Sequence, residues 1–297
     1  MRLLDKMREA LARFPKLALY VIAAFAILGV MGPWVVPHDP LVQDLLSANM
    51  GPDTMHWLGT DHLGRDTFSR LIASARTTLV AMVLILAFAL AIGLGLGTLA
   101  GYWRGWLEEV IMRVVDVGLA LPSLIIALAL IGIFGTGYWN MIFALTLAFW
   151  PGFARVSRVV AVGVMNKPHV EALKVMGASP YRIFFKHLLP TTIGAVLVYA
   201  TADAGGLALS IATLSFLGLG VQPPTPEWGQ MLVDSLPLLE SDPRQVILPG
   251  LALTIVVVGF NVLGEAIALN RVPRPLSKAR IRQCRTETEA WTHGEKA

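Results

Sequence analysis

The chain of 297 residues holds one cysteine, Cys284. No intrachain disulfide can form, which excludes the stapled architectures of small secreted domains. Charge is also scarce, with Asp, Glu, Lys and Arg making up 15% of the residues against the roughly 25% of ordinary soluble domains. From Thr77 to Trp103 there is no charged residue at all. That run exceeds the about 20 residues needed to cross a bilayer, and a soluble core has no use for it. No glycine-rich loop ends in Gly-Lys-Ser or Gly-Lys-Thr, so the chain has no visible means of binding ATP itself. The six histidines are scattered. His38, His56 and His62 fall in one expected loop without a cysteine or a repeated spacing, so the spacing signals no metal site.

What is present is apolar. Hydrophobic residues make up 55% of the chain, and they gather into runs that predict an all-α integral membrane protein with six transmembrane helices, near 17–36, 79–103, 114–134, 139–154, 191–217 and 246–269. The third and fourth form one block too long for a single crossing. We divide it at Gly135 to Gly137, where glycine permits a tight reversal. Strands of a membrane barrel would read as polar at every second residue, and these do not.

Orientation follows from the basic residues. Residues 1–16, the connection after the second span, the segment 155–190 and the tail 270–297 hold 20 of the 24 Lys and Arg. Those four segments are expected in the cytoplasm, with both termini. Arg65, Arg70, Arg76 and Arg244 remain outside, among nine carboxylates. The first span is expected to be uncleaved, since no small-residue cleavage site ends it. Its lead places Leu3, Leu4, Met7, Leu11 and Phe14 at near-helical spacing, which fits a helix on the inner membrane surface or a solvated basic tail.

The segment Val170–Pro190, "VEALKVMGASPYRIFFKHLLP", is more than a connection. Lys174, Arg182, Lys186 and His187 face a single acid, Glu171. Lys167 to Met176 has good helix formers, Gly177 can end that helix at positive φ, and Ser179 with Pro180 suits the cap and first position of a second helix running to Pro190. A mere link between spans could be a few residues long. A folded basic hairpin of this size suits the docking of a soluble cytoplasmic partner, or an interfacial hairpin without one.

Five further features carry possible chemistry. Gly59, Thr60, Asp61, Gly64, Arg65 and Asp66 combine tight turns, a cap and opposite charges, which would stiffen an outer loop or shape a surface for a partner. Pro223, Pro224, Glu227, Trp228 and Gly229 form a second stiff outer segment, with Trp228 offered as an interfacial anchor. Within the spans, Asp116 follows Arg113 by one helical turn and is expected to pair with it. Asp203 lies beside small residues and is expected at a pathway or helix contact, while Glu265 is expected in packing.

The hairpin also resembles a known motif. Glu171 and Ala172, then Gly177, then Leu189 and Pro190, are similar to the EAA loop of the permease subunits of bacterial ABC importers. Leu173 stands where that loop has a second alanine, and His187 where isoleucine is common. "HWLGTDHLGRDTFSRL" (56–71), "IMRVVDVGLALPSLIIAL" (111–128) and "LSFLGLGVQPPTPEWGQML" (214–232) resemble the C-type permeases of the dipeptide, oligopeptide and nickel group. The likeness runs from about Val36 to Leu269, and "NRVPRPLSK" departs from the family's usual short ending.

The resemblance implies a type I ABC importer permease fold in the bacterial inner membrane and no enzymatic activity. It further implies a second homologous permease subunit, two ATP-binding subunits that use ATP and Mg, and an extracytoplasmic substrate-binding protein. No nucleic acid is expected as a partner. Peptides are the implied cargo, with nickel or a metal chelate as the alternative. An ion-coupled secondary transporter using Asp116 and Asp203 as a relay is the rival class, but such proteins often show repeated halves and the chain shows none.

Overall fold

The computed structural model describes residues 15–271. The expected surface helix of the lead, Cys284 and most of the expected tail lie outside them. In chain order the helices are α1 (Pro15–Val35), α2 (Thr67–Trp103), α3 (Trp106–Ala120), α4 (Ser123–Phe134), α5 (Tyr138–Met165), α6 (Pro168–Val175), α7 (Pro180–Phe216), α8 (Trp228–Ser235) and α9 (Arg244–Arg271). Short 3₁₀ turns at Leu45–Ser47 and Leu236–Leu238 complete the described elements.

Four of these helices, α2, α5, α7 and α9, are long and apolar enough to cross a membrane, and α3 with α4 would make a fifth. The described helices do not by themselves establish the six expected spans. The apolar part of α1 covers Ala23–Gly32.

The expected third span is not one rod. α3 and α4 meet at 92°, because Pro122 lacks an amide hydrogen and forces Leu121 into an extended conformation at φ −111°, ψ 146°. The expected break before the fifth span is also absent. Instead of ending at Pro190, the second hairpin helix passes through a π-helical stretch, Ile183–Leu188, and continues as α7. A proline cannot donate to the carbonyl four residues back, and the wider turn just before it takes up the change of register.

The centre is a close crossing of α2 and α5. A Cβ at Gly93, Gly97 or Gly101 would lie 2.5 Å from Phe153 Cβ, 2.2 Å from the Ala154 carbonyl oxygen and 2.7 Å from Ala161 Cβ, respectively. Spaced four apart on one face, these glycines let the two backbones touch where lipid supplies no hydrophobic drive for association. Around that seam Met82, Ile85, Met141 and Leu145 join Leu207, Ile211, Leu214 and Trp228 in the main core. Val83, Phe88, Ile133, Trp139, Leu197 and Ile255 stay exposed on the outside of the bundle. A water-facing surface would not tolerate so many large apolar side chains, whereas lipid would.

Candidate functional site

At the cytoplasmic end, by the expected orientation, α6 and the start of α7 form a hairpin whose turn is built by local chemistry. Gly177 has φ +78°. Its amide donates to the Lys174 carbonyl at 3.0 Å, and that of Ala178 to Leu173 at 3.0 Å. This is the paired hydrogen bonding that ends a helix on a left-handed residue. Ser179 Oγ then accepts from the Arg182 amide at 3.3 Å, with Pro180 in the first turn. The turn and the cap stand where the sequence places them.

The hairpin is anchored on one side only. Val170, Ile183 and Leu188 are buried against Ala161, Val164 and Met165 near the end of α5. The other side leaves Val175 89% and Met176 72% exposed, and Tyr181 and Phe185, stacked with ring centroids 4.4 Å apart, are exposed too. Glu171, Ala172, Gly177, Ser179 and Pro190 are likewise exposed, with Leu189 half-buried. Tyr102, Trp103, Tyr181 and Phe185 line an open cleft of about 620 Å³ beside Lys174. The tip is thus apolar and exposed, flanked by a carboxylate and a lysine.

The two motifs expected on the outer side form one structure. Gly59 and Gly64 have φ +77° and +74°, and a Cβ on Gly64 would fall 1.7 Å from the Asp44 carbonyl oxygen. Only glycine fits that turn. Thr60 and Asp66 pair as an isolated antiparallel bridge. Asp61 accepts from the amides of Leu63 at 2.9 Å and Arg65 at 3.0 Å, and from Arg65 Nε at 2.7 Å.

Arg70 Nε lies 3.3 Å from Asp61, and Asp234 approaches Arg65 and Arg70 at 3.5 and 3.6 Å. Two buried guanidiniums thus share two carboxylates, one from each outer segment. Gln245 closes the set, donating to the Thr60 carbonyl at 2.7 Å and accepting from Thr67 Oγ1 at 3.1 Å.

Trp228 corrects the expectation of an interfacial anchor. It is wholly buried, its indole N–H donates to the Leu71 carbonyl at 3.1 Å, and its ring meets Phe25 edge-on at 5.8 Å. The neighbouring glycine explains the depth, since a Cβ on Gly229 would lie 2.3 Å from the Ala212 carbonyl oxygen, so α8 sits directly on α7. Glu227 caps α8 by accepting from the Gln230 amide at 3.1 Å, and it accepts from Thr78 Oγ1 at 3.0 Å. Complete burial raises its pKa above the usual carboxylate range, although these hydrogen bonds oppose the shift. Pro223 and Pro224 are joined by a cis peptide bond.

The intramembrane pair expected between Arg113 and Asp116 does not form. Asp116 pairs with Arg155 of α5, while Arg113 lies 4.0 Å from Glu109 and is 76% exposed. Three residues along a helix bring two side chains to adjacent positions, but the packing of α3 on α5 decides which one finds a partner. Glu108 makes a second tie between those helices, accepting from Arg158 Nε at 2.7 Å. Asp203 is half-buried on α7. Two residues on, a Cβ at Gly205 would lie 2.7 Å from Asn261 Oδ1 of α9, so this stretch is a close helix contact. Glu265 is half-buried further along α9.

One grouping had no signal in the spacing. His38, from the segment after α1, and His56 come together with Asp66 so that one ligand atom from each lies within 4.8 Å of the others. Arg70, Thr78, Arg155, Asp234 and Gln245 likewise make contacts without a local signal, to partners 9 to 185 residues away.

Comparison with known proteins agrees with this architecture. The family described as binding-protein-dependent transport system inner membrane component matches residues 93–275, more than half of the chain. The nickel transport system permease protein NikC of Escherichia coli (strain K12) is 41% identical over 252 residues, covering 85% of this chain and 91% of that protein. The glutathione transport system permease protein GsiD of Pectobacterium atrosepticum is 37% identical, covering 84% and 83%. Among solved structures, an inward-facing conformation of the MetNI methionine ABC transporter aligns with a TM-score of 0.55 at 23% identity, over 68% of this chain and 95% of that one. Permeases of this kind work with ATP-binding and substrate-binding partners. The chain therefore belongs to the binding-protein-dependent inner membrane components, as an ABC importer permease of the dipeptide, oligopeptide and nickel group, a transport subunit and not an enzyme.

Proposed function

We propose that this chain is one of two homologous permease subunits in an importer that also contains two ATP-binding subunits, and that it imports nickel, free or chelated. Support for the assembly comes from the hairpin. Its apolar tip, Val175, Met176 and Tyr181, stands exposed at the end of a bundle whose other large apolar faces suit lipid. ATP with Mg would draw the ATP-binding subunits together, and the hairpin, continuous with α7, would carry that movement into the membrane. In this reading six spans leave both termini in the cytoplasm, and the stiff outer network of Asp61, Arg65, Arg70 and Asp234 receives the loaded substrate-binding protein. Reporters fused after Gly51 and Gly229 should be extracytoplasmic, and one after Gly177 cytoplasmic.

The cargo reading rests on the 41% identity to the nickel permease. The peptide cargo expected from sequence remains the second reading, favoured by the glutathione permeases at 37% and 38%. Two measurements test the proposal. Val175→Cys should crosslink to the ATP-binding subunit in the assembled complex, and absence of any crosslink along 174–181 removes the docking surface. Uptake of radioactive nickel by cells carrying the importer, with peptides as competitors, decides the cargo. Peptide uptake without nickel uptake overturns the nickel reading.

A further inference from the structure

Outside the hairpin and the arginine network, the outer loop contains a donor set that neither of them uses. His56 Nδ1 lies 2.9 Å from Asp66 Oδ1, and His38 Nδ1 lies 4.0 Å from the same oxygen. The two imidazoles are stacked with centroids 4.8 Å apart and planes tilted by 37°. We propose that His38, His56 and Asp66 bind one divalent transition-metal ion of the nickel and zinc class on the outer face of the permease.

The chemistry of the set points to such an ion. Two imidazole nitrogens and one carboxylate oxygen suit borderline cations such as Zn²⁺ and Ni²⁺, whereas calcium and magnesium take oxygen shells. Ligand bonds of about 2.0–2.2 Å in a tetrahedral site put donor atoms about 3.3–3.6 Å apart. The 2.9 and 4.0 Å separations from Asp66 Oδ1 fall on either side of that value, and all three donor atoms lie within 4.8 Å of one another. Small rotations of two side chains would equalise them.

An ion would also answer a question that a plain hydrogen bond leaves open. His56 and Asp66 form an adequate pair by themselves, which accounts for one imidazole. His38 Nδ1 is nevertheless buried beside them with no hydrogen-bond partner. Buried polar atoms are seldom left so. A cation between the three groups gives both nitrogens and the carboxylate oxygen a common partner.

The supporting shell is already in place. Asp66 caps α2 through its other oxygen, Oδ2, which accepts from the Ser69 amide at 2.8 Å and so leaves Oδ1 turned to the histidines. Ser69 Oγ accepts from the main-chain amide of His38 at 3.3 Å, so one residue positions two of the three donors. The main-chain amide of His56 is held by the Asp53 carboxylate. Outer-shell contacts of this kind orient ligands before the ion arrives. The site is open on one side, with the His38 and His56 side chains 33% and 19% exposed. Water or a ligand carried by the ion could complete the coordination, so the ion would be exchangeable.

The site does not depend on what the importer carries, and the test is made on the resting complex without cargo or binding protein. The assembled importer, free of polyhistidine tags and stripped with chelator, is dialysed against Zn²⁺ or Co²⁺ chloride, and bound metal is counted by mass spectrometry. The expected result is about one more ion per chain than in the double variant His38→Asn/His56→Asn, with each single variant binding about tenfold or more weakly. Equal counts in the original protein and the double variant overturn the proposal. Should the double variant fail to assemble, the Co²⁺ spectrum of the original protein decides. Strong d–d absorption from a four- or five-coordinate, nitrogen-ligated ion supports the site, and only the weak spectrum of hydrated Co²⁺ overturns it. Either failure leaves the importer reading untouched.

Discussion

Replacing Gly177 with valine separates backbone conformation from packing more cleanly than any other change in the hairpin. Gly177 sits at φ +78°, and a Cβ added there would meet no atom within 4 Å. The substitution causes no collision. What it costs is the left-handed conformation of a β-branched residue, on the order of 1–3 kcal/mol. That corresponds to a roughly 5- to 150-fold fall in the population of hairpins with the native turn, if the tip has no other restraint. The bundle should still insert, because the apolar helices lie outside the turn.

Gly163 is the matched control. It lies on α5, has no positive φ, and leaves equal room for a Cβ. Gly163→Val should transport normally, and Gly177→Asn should retain more function than Gly177→Val, because asparagine enters the left-handed region more readily. Uptake in cells, ATP-binding subunit retained on purification, and inserted permease are measured for all three. The reasoning is refuted if Gly177→Val matches Gly163→Val in uptake and retention, or if its inserted amount collapses along with both.

Asp61→Ala should destabilise the outer network more than Asp234→Ala, since Asp61 holds Arg65 at 2.7 Å and two backbone amides while Asp234 lies 3.5 and 3.6 Å from the guanidiniums. Thermal melts of the detergent-solubilised complex should show losses of about 3–5 kcal/mol and about 1–3 kcal/mol, respectively. Gly97→Leu should prevent the approach of α2 to α5 at a cost at or above the top of the about 1–3 kcal/mol range of overpacking, measured as folded protein recovered from membranes. Glu227 has its pKa raised by burial, so the folded state holds the proton more tightly than the unfolded one, and stability falls as pH rises from the ordinary carboxylate range through the raised value. Glu227→Gln removes that loss, so melting temperatures at pH 5 and pH 8 should show the variant gaining on the original protein at the higher pH.

The structure divides sequence signals by the distance over which they act. Gly177, Ser179 and Pro180 were legible because a left-handed stop and a cap are settled within about five residues, by amides and a hydroxyl that the same short segment supplies. Asp61, Gly64 and Arg65 were legible as a rigid turn for the same reason. Arg113 and Asp116 show where local reasoning stops. Helical spacing puts them within reach of each other, but Asp116 faces α5 and takes Arg155, 39 residues on, and no local rule ranks those two partners. Trp228 fails in another way. An aromatic residue near a membrane surface suits either an interface or a core, and the deciding fact is the absence of a side chain at Gly229, which lets α8 rest on α7. His38 and His56 are the extreme case. Their ligand geometry exists only because Asp66, needed as the cap of α2, has a second oxygen to spare, and because Ser69 binds both the cap and the His38 backbone. Spacing in the chain carries no trace of that arrangement, so a site formed by one residue's two obligations becomes visible only when the fold is.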